Sequence, residues 1–283
     1  MNEFEYIPKL LKPRDTIGYT QIIPKIIWQT MQTNRVSAFM KSYTDTWINL
    51  NPEYEYRFHD ENDRTDFLKT DFPDYLNAYN KLKSGSSKAD LWRYLIIYKY
   101  GGIYADIDCK CNSPLRKWVN PEATFVTQLG INKDICQWLI ISIPENPIFI
   151  KAAEKTLHQS VLNSKKISYY GFDYIDNKLV IRKSDPINVY HDVLSVSGPP
   201  VLQYAAEECF KDGLIKSILD HTQLVCVSAE ISCQMNGNVK HDTGDPEFKK
   251  SYKKLKIKHY NRRIERLRRK IATFFTSFNA RSK

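Results

Sequence analysis

The sequence predicts an α/β fold built on one mostly parallel central sheet. Short apolar runs of strand length alternate with stretches of helical periodicity. They follow one another singly rather than in blocks, which favours crossover connections and parallel pairing. With 283 residues, 42% of them hydrophobic, the chain is long enough to bury one large core and too apolar to be disordered.

Residues 22–28 (Ile-Ile-Pro-Lys-Ile-Ile-Trp) and 54–58 (Tyr-Glu-Tyr-Arg-Phe) read as the first two strands, with a helix over about 37–50 between them. Ser86 or Ser87 is placed to cap a helix over 88–100, whose stripe is Leu91, Tyr94, Leu95 and Tyr98. Gly101-Gly102 stops that helix, and residues 103–106 enter the sheet. Two more strands are expected over 123–129 and 135–141, then a helix from Asn146-Pro147 to about 163. Residues 164–192 are rich in polar and turn-forming residues and predict a hairpin or an excursion. Gly198-Pro199-Pro200 opens a helix to about 212, and 223–228 is the last core strand.

The apolar runs stay well short of the roughly 18 residues that cross a bilayer. Residues 1–20 mix Glu3, Glu5, Lys9, Lys12, Arg14 and Asp15 among apolar positions, unlike a secretion signal. The expected location is therefore cytoplasmic, or peripheral on the cytosolic face of a membrane. Six cysteines at this length make no disulfide scaffold and no Cys-x-x-Cys pair, so they read as reduced, and Cys109-x-Cys111 as ordinary buried thiols.

The net charge of +10 is unevenly spread. From Lys249 to Lys283 there are 14 Lys and Arg against the single acid Glu265, so the rest of the chain is mildly acidic. The expected division is 1–248 as the α/β domain and 249–283 as a basic tail. Within the tail, Ile257, Tyr260, Ile264, Leu267, Ile271, Phe274 and Phe278 recur at three and four residues, the mark of an amphipathic cationic helix. Such a helix over 256–278 suits an anionic membrane surface or docking on its own domain. Nucleic acid is not expected as a partner, because the basic residues lack interleaved aromatics and a reading module.

The chemistry-bearing segment is Asp106-Ile107-Asp108. If extended, both carboxylates point to one side, where a hard divalent cation, Mn²⁺ or Mg²⁺, offsets their repulsion and completes its shell with phosphate oxygens and water. Asp90 and Arg93 lie three apart on the preceding helix and so share a face that borders the ion. The aspartate suits sugar hydroxyls and the arginine phosphate oxygens.

From Lys88 to Asp108 the sequence resembles the signature of glycosyltransferase family 32: Lys-Ala-Asp-Leu-Trp-Arg-Tyr-Leu-Ile-Ile-Tyr-Lys-Tyr-Gly-Gly-Ile-Tyr-Ala-Asp-Ile-Asp. Ile23-Pro-Lys-Ile-Ile-Trp28, Trp47, Asn51-Pro-Glu-Tyr-Glu-Tyr56 and Ser197-Gly-Pro199 extend the likeness over about 22–245. The resemblance implies a GT-A fold, a single Rossmann-like domain, and retaining transfer of a hexose, mannose favoured, from a nucleotide-sugar donor to a glycan or lipid-linked acceptor. It assigns Asp106 to ribose and metal, Asp108 to the metal, Asp90 and Arg93 to the donor sugar, and Tyr104 to the donor. Trp28 falls near the nucleotide base. His241, in Val239-Lys-His-Asp-Thr-Gly-Asp245, matches a side chain that closes the metal site, although Asp245 departs from the family's usual Ser-Trp. His59-Asp60 reads as a loop cap. The competing readings are a catalytically inactive, membrane-docking sugar-binding relative and a nucleic-acid-binding protein acting through the tail.

Overall fold

The computed structural model describes residues 4–16, 18–82, 84–129, 135–162, 166–167, 170–175, 178–183, 187–188, 196–212, 222–225 and 233–235. The tail, its expected helix, the boundary at 248/249 and His241 lie outside them.

The described elements begin with strands β1 (Phe4–Tyr6), β2 (Leu10–Leu11), β3 (Ile26–Thr30) and β4 (Arg35–Ser37). Helix α1 (Ala38–Leu50), strand β5 (Glu55–His59) and helices α2 (Glu61–Asp71), α3 (Pro73–Lys81) and α4 (Gly85–Tyr100) follow. Strands β6 (Gly102–Ala105), β7 (Cys109–Cys111), β8 (Phe125–Leu129) and β9 (Ile135–Ser142) precede helix α5 (Pro147–Leu162). The expected excursion after it is a set of antiparallel pairs: β10 (Lys166–Ile167) with β13 (Ile187–Asn188), and β11 (Tyr170–Ile175) with β12 (Lys178–Lys183). Helix α6 (Pro199–Lys211) and strands β14 (Thr222–Val225) and β15 (Cys233–Met235) complete the order.

The main sheet runs β14-β8-β9-β6-β3-β5-β2. Its pairings put β14, β8, β6, β3 and β5 in one direction, with β9 and β2 reversed. The mostly parallel α/β sheet is thus borne out. Alternate residues of the central strands feed opposite faces. Trp28, Tyr104, Phe125 and Ile140 pack with α4, α5 and α6, whereas Ile27, Ile103, Val126 and Ile141 pack with α1.

Local chemistry sets the helix ends. Ser37 Oγ accepts from Met40 N at the start of α1, and Asp60 and Asp63 form a reciprocal capping box on α2. Ser84, rather than Ser86 or Ser87, caps α4. Through its middle α4 is buried on every side, with Trp92, Ile96 and Ile97 as enclosed as Leu91 and Tyr94, because it lies between the sheet and other helices. Gly101 (φ 62°) and Gly102 (φ 96°) then turn the chain into β6. A Cβ on Gly102 would stand 2.6 Å from Ile26 O, in backbone that does not yield. Gly102→Ala is therefore expected to lower the unfolding free energy by at least about 2 kcal/mol. An unchanged denaturant midpoint would contradict this account of the junction.

The helices α2 and α3 and the strands β1, β2 and β4 were not among the expected elements. Among the described residues no helix is long and apolar enough to cross a membrane.

Candidate active site

Strand β3 has β5 on one side and β6 on the other, so the chain order reverses there. In open α/β sheets, ligands gather outside the carboxyl ends of strands at such a point. Thr30, His59 and Asp106 stand at those ends.

The paired acids are not extended. Strand β6 ends at Ala105, and Cys109 N donates to Asp106 O at 2.9 Å, closing a turn over Asp106-Ile107-Asp108-Cys109. The expectation of an extended pair is corrected here. Asp106 N–H makes the last bond to β9, at Trp138 O (2.8 Å), and β7 beyond it pairs with β15 in a separate sheet, so the chain turns between the two sheets over these residues. Asp106 is partly open, with a side chain 22% exposed, while Asp108 is 2% exposed.

Arg93 joins the helix to the turn. Its Nη2 lies 3.0 Å from Asp90 Oδ1 and 3.2 Å from Asp106 Oδ1, so one nitrogen bridges the two carboxylates. The guanidinium sits over the Tyr104 ring, 4.4 Å from its centroid, and Tyr104 donates its hydroxyl to Asp106 Oδ1. Burial works against the Arg93 charge, but Asp106, with Tyr104 and Asp90 behind it, holds the group protonated well above its ordinary range.

Asp90 is the buried centre of a network the sequence reading did not assemble. Gln137 Nε2 donates to its Oδ1 (2.9 Å) and Ser197 Oγ to its Oδ2 (2.8 Å). Tyr94 O–H reaches Ser197 O at 2.6 Å and Gln137 Oε1 at 2.8 Å, and Arg93 Nη1 donates to Gln137 O at 2.8 Å. The Gln137-Trp138 dipeptide thus contacts Asp90, Arg93 and Asp106. On the opposite side, Gln29 Nε2 donates to Asp106 O (3.3 Å) and is itself held by the Tyr56 hydroxyl (2.9 Å). The one signal for Gln137 and Gln29 in the sequence is an amide at a buried position of an apolar strand, where an unmatched polar group is costly.

Burial pushes the Asp90 carboxyl up to about 7, against the opposing pull of Arg93 and its hydrogen bonds. Between the ordinary 3.8 and that value the folded protein keeps a proton that the unfolded chain releases, so this group takes stability away as pH rises through the window. Asp90→Asn removes the effect. Melting curves in EDTA are expected to show the variant losing less stability than the parent between these two pH values, whatever their offset at low pH; parallel pH profiles would contradict it.

Trp28 departs from its expected place. It is 1% exposed, donates Nε1–H to Gly101 O (2.9 Å), and packs against Tyr100 and His59 with Arg57 over its ring. No face of the indole is open to a base in this arrangement. Burial also pushes His59 down to about 4, so its imidazole is neutral at neutral pH, and Asp60, read from the sequence as a loop cap, caps helix α2 instead.

Residues 37–125 match the family described as glycosyltransferase sugar-binding region containing DXD motif. Over this segment the chain is similar to glycosyltransferase sugar-binding regions of the DXD type. It begins at the cap of α1 and ends at the start of β8, so it holds Asp90, Arg93, Tyr104, Asp106 and Asp108. Inositol phosphoceramide mannosyltransferase 3 of Schizosaccharomyces pombe is 41% identical over 39% of this chain and 33% of its own length. The initiation-specific alpha-1,6-mannosyltransferase of the same organism is 28% identical over 57% of this chain and 48% of its own length. Among solved structures, the PaToxG glycosyltransferase aligns over 71% of this chain and 73% of that one, at 16% identity and a TM-score of 0.44. The chain thus matches about a third to a half of the length of these mannosyltransferases.

Among the described residues, no group of three or more His, Cys, Asp or Glu side chains stands together as a metal site. The donor set of the DXD turn still fits a hard divalent cation: it offers carboxylate oxygens, the ligands that Mg²⁺ and Mn²⁺ take when water and phosphate complete the shell.

Proposed function

We propose that this chain is a metal-dependent, retaining hexosyltransferase that moves a sugar, mannose favoured, from a nucleotide-sugar donor to a glycan or glycolipid acceptor. The observation that carries the reading is Arg93 bridging Asp90 and Asp106 at the carboxyl edge of the sheet, beside the DXD turn. The relatives' names as mannosyltransferases of inositol phosphoceramide and of α-1,6 linkages support mannose and a lipid-linked or glycan acceptor.

Each residue has a defined task in this reading. Asp106 and Asp108 would hold a divalent ion, which would supply charge neutralisation to a departing nucleoside diphosphate. Arg93 donates to diphosphate oxygens as negative charge develops on them, from a site dry enough for that interaction to count. Tyr104 fixes the Asp106 carboxylate by its hydroxyl. Asp90 Oδ2 accepts from Ser197 and has a second lone-pair direction for a sugar hydroxyl. The acceptor hydroxyl attacks the anomeric carbon from the face the diphosphate leaves. Its proton passes to the departing phosphate, so the configuration is retained. The amphipathic tail over 256–278 would bring the domain to an anionic membrane carrying the acceptor.

A panel of nucleotide sugars with Mn²⁺, read by nucleotide release with and without EDTA, tests the reading. Release of one nucleotide, dependent on the ion and faster with an acceptor glycan or glycolipid, is the expected result. Release indifferent to EDTA, or none from any donor, would count against it.

A further inference from the structure

We infer that Cys111 and Cys233 form a redox-sensitive staple, a disulfide that fastens β15 to the strand following the DXD turn. The two cysteines are direct partners in the antiparallel pairing of β7 with β15, where Cys111 stands opposite Cys233, Lys110 opposite Gln234 and Cys109 opposite Met235.

Antiparallel pairs come in two kinds, and the backbone shows which kind this is. Cys111 N–H donates to Thr46 Oγ1 (2.9 Å) and Cys109 O accepts from Trp47 Nε1 (2.7 Å), both in α1 and away from β15. Cys109 N–H is likewise taken, by Asp106 O. Positions 109 and 111 therefore belong to non-hydrogen-bonded pairs, and Lys110 with Gln234 to the hydrogen-bonded one. In a non-hydrogen-bonded pair the Cα atoms approach to about 4.5 Å and side chains are nearest. That spacing lies inside the roughly 4.4–6.8 Å window a disulfide spans without moving the backbone. Cys111 is 1% exposed, with Asn51 Nδ2 3.7 Å from its sulfur and its thiol directed to Ser113 O at 3.2 Å.

The bridge forms by exchange with a low-molecular-weight disulfide. One cysteine thiolate attacks that disulfide, giving a mixed disulfide and one released thiol; the second cysteine thiolate attacks the protein-bound sulfur and releases the other. Two cysteine thiols are oxidised and one small disulfide is reduced to two thiols, so atoms and electrons balance. Opening of the three-residue ribbon admits the oxidant to the buried sulfur, so closure is slow. Once closed, the bridge fastens β15 to β7, the strand that follows the DXD turn.

The test uses the full chain in glutathione buffers from fully reduced to fully oxidised, quenched by alkylation and mapped without reduction. Trypsin cuts after Lys110 and separates Cys109 from Cys111, and Glu-specific protease cuts after Glu230 and separates Cys226 from Cys233. The expected product is a peptide pair joining Cys111 to Cys233, lighter by two hydrogens than the separate peptides, reopened by dithiothreitol and dominant over every other pairing. Oxidation should also raise the melting temperature of the parent by several degrees, and of neither Cys111→Ser nor Cys233→Ser. Complete alkylation of both residues in oxidised buffer, a mixed disulfide that never closes, or bridges scattered among other cysteines would overturn the inference. None of these outcomes depends on donor turnover.

Discussion

Asp108→Ala is expected to lower donor turnover by at least about a hundredfold while leaving the fold in place. Asp108 lies in the turn after β6, where its backbone is set by the bond from Cys109 N to Asp106 O and by β7 beyond it. Neither needs the Asp108 carboxylate, so the circular dichroism spectrum and the melting cooperativity should survive. The carboxylate itself is buried, and a buried acid beside the partly open Asp106 is costly unless a cation or donors offset it. If that offset is a divalent ion shared with a diphosphate, the variant should lose its response to added Mn²⁺ as well as its rate. Nucleotide release measured over a Mn²⁺ titration separates the two. A variant as active as the parent, with the same Mn²⁺ midpoint, would remove Asp108 from the metal site.

Residues close in sequence made the site partly legible. Asp90, Arg93, Tyr104, Asp106 and Asp108 all lie on one helix, one glycine junction and one strand end, so their periodicity and spacing carry the signal. Gln137 and Ser197 enter only because β9 lies beside β6 and because α6 begins next to α4, and strand order is not written in local pattern. The extended reading of Asp106 and Asp108 failed for a related reason: the chain passes there from β6 in the main sheet to β7, whose partner β15 lies far away in sequence. Trp28 shows the opposite limit. At the end of an apolar strand an indole can face a ligand or the core, and only the packing of Tyr100 and Arg57 around it decides. Helices α2 and α3 escaped because α2 is dominated by charged residues and shows little apolar stripe. Its capping box, Asp60 with Asp63, was nevertheless readable at the right spacing.

Arg93→Met should damage both stability and turnover, and a second substitution should restore only the first. Arg93 is 4% exposed and its charge is matched by Asp90 and Asp106, while its Nη1 also satisfies Gln137 O. Methionine fills much of the volume but, above about pH 7 where Asp90 is ionised beside Arg93, it strands this buried carboxylate or forces it to take up a proton. Breaking a buried pair in this one-sided way costs about 3–5 kcal/mol. Adding Asp90→Asn removes the stranded charge and keeps an amide for Ser197 and Gln137 to meet, so the double variant should recover a large part of that loss in urea denaturation. Turnover should not return, because the diphosphate would still lack the guanidinium that meets its developing charge. Two outcomes would break this reasoning. Full stability in Arg93→Met would mean that the buried carboxylate does not need its cation, and restored turnover in the double variant would mean that Arg93 serves the fold alone.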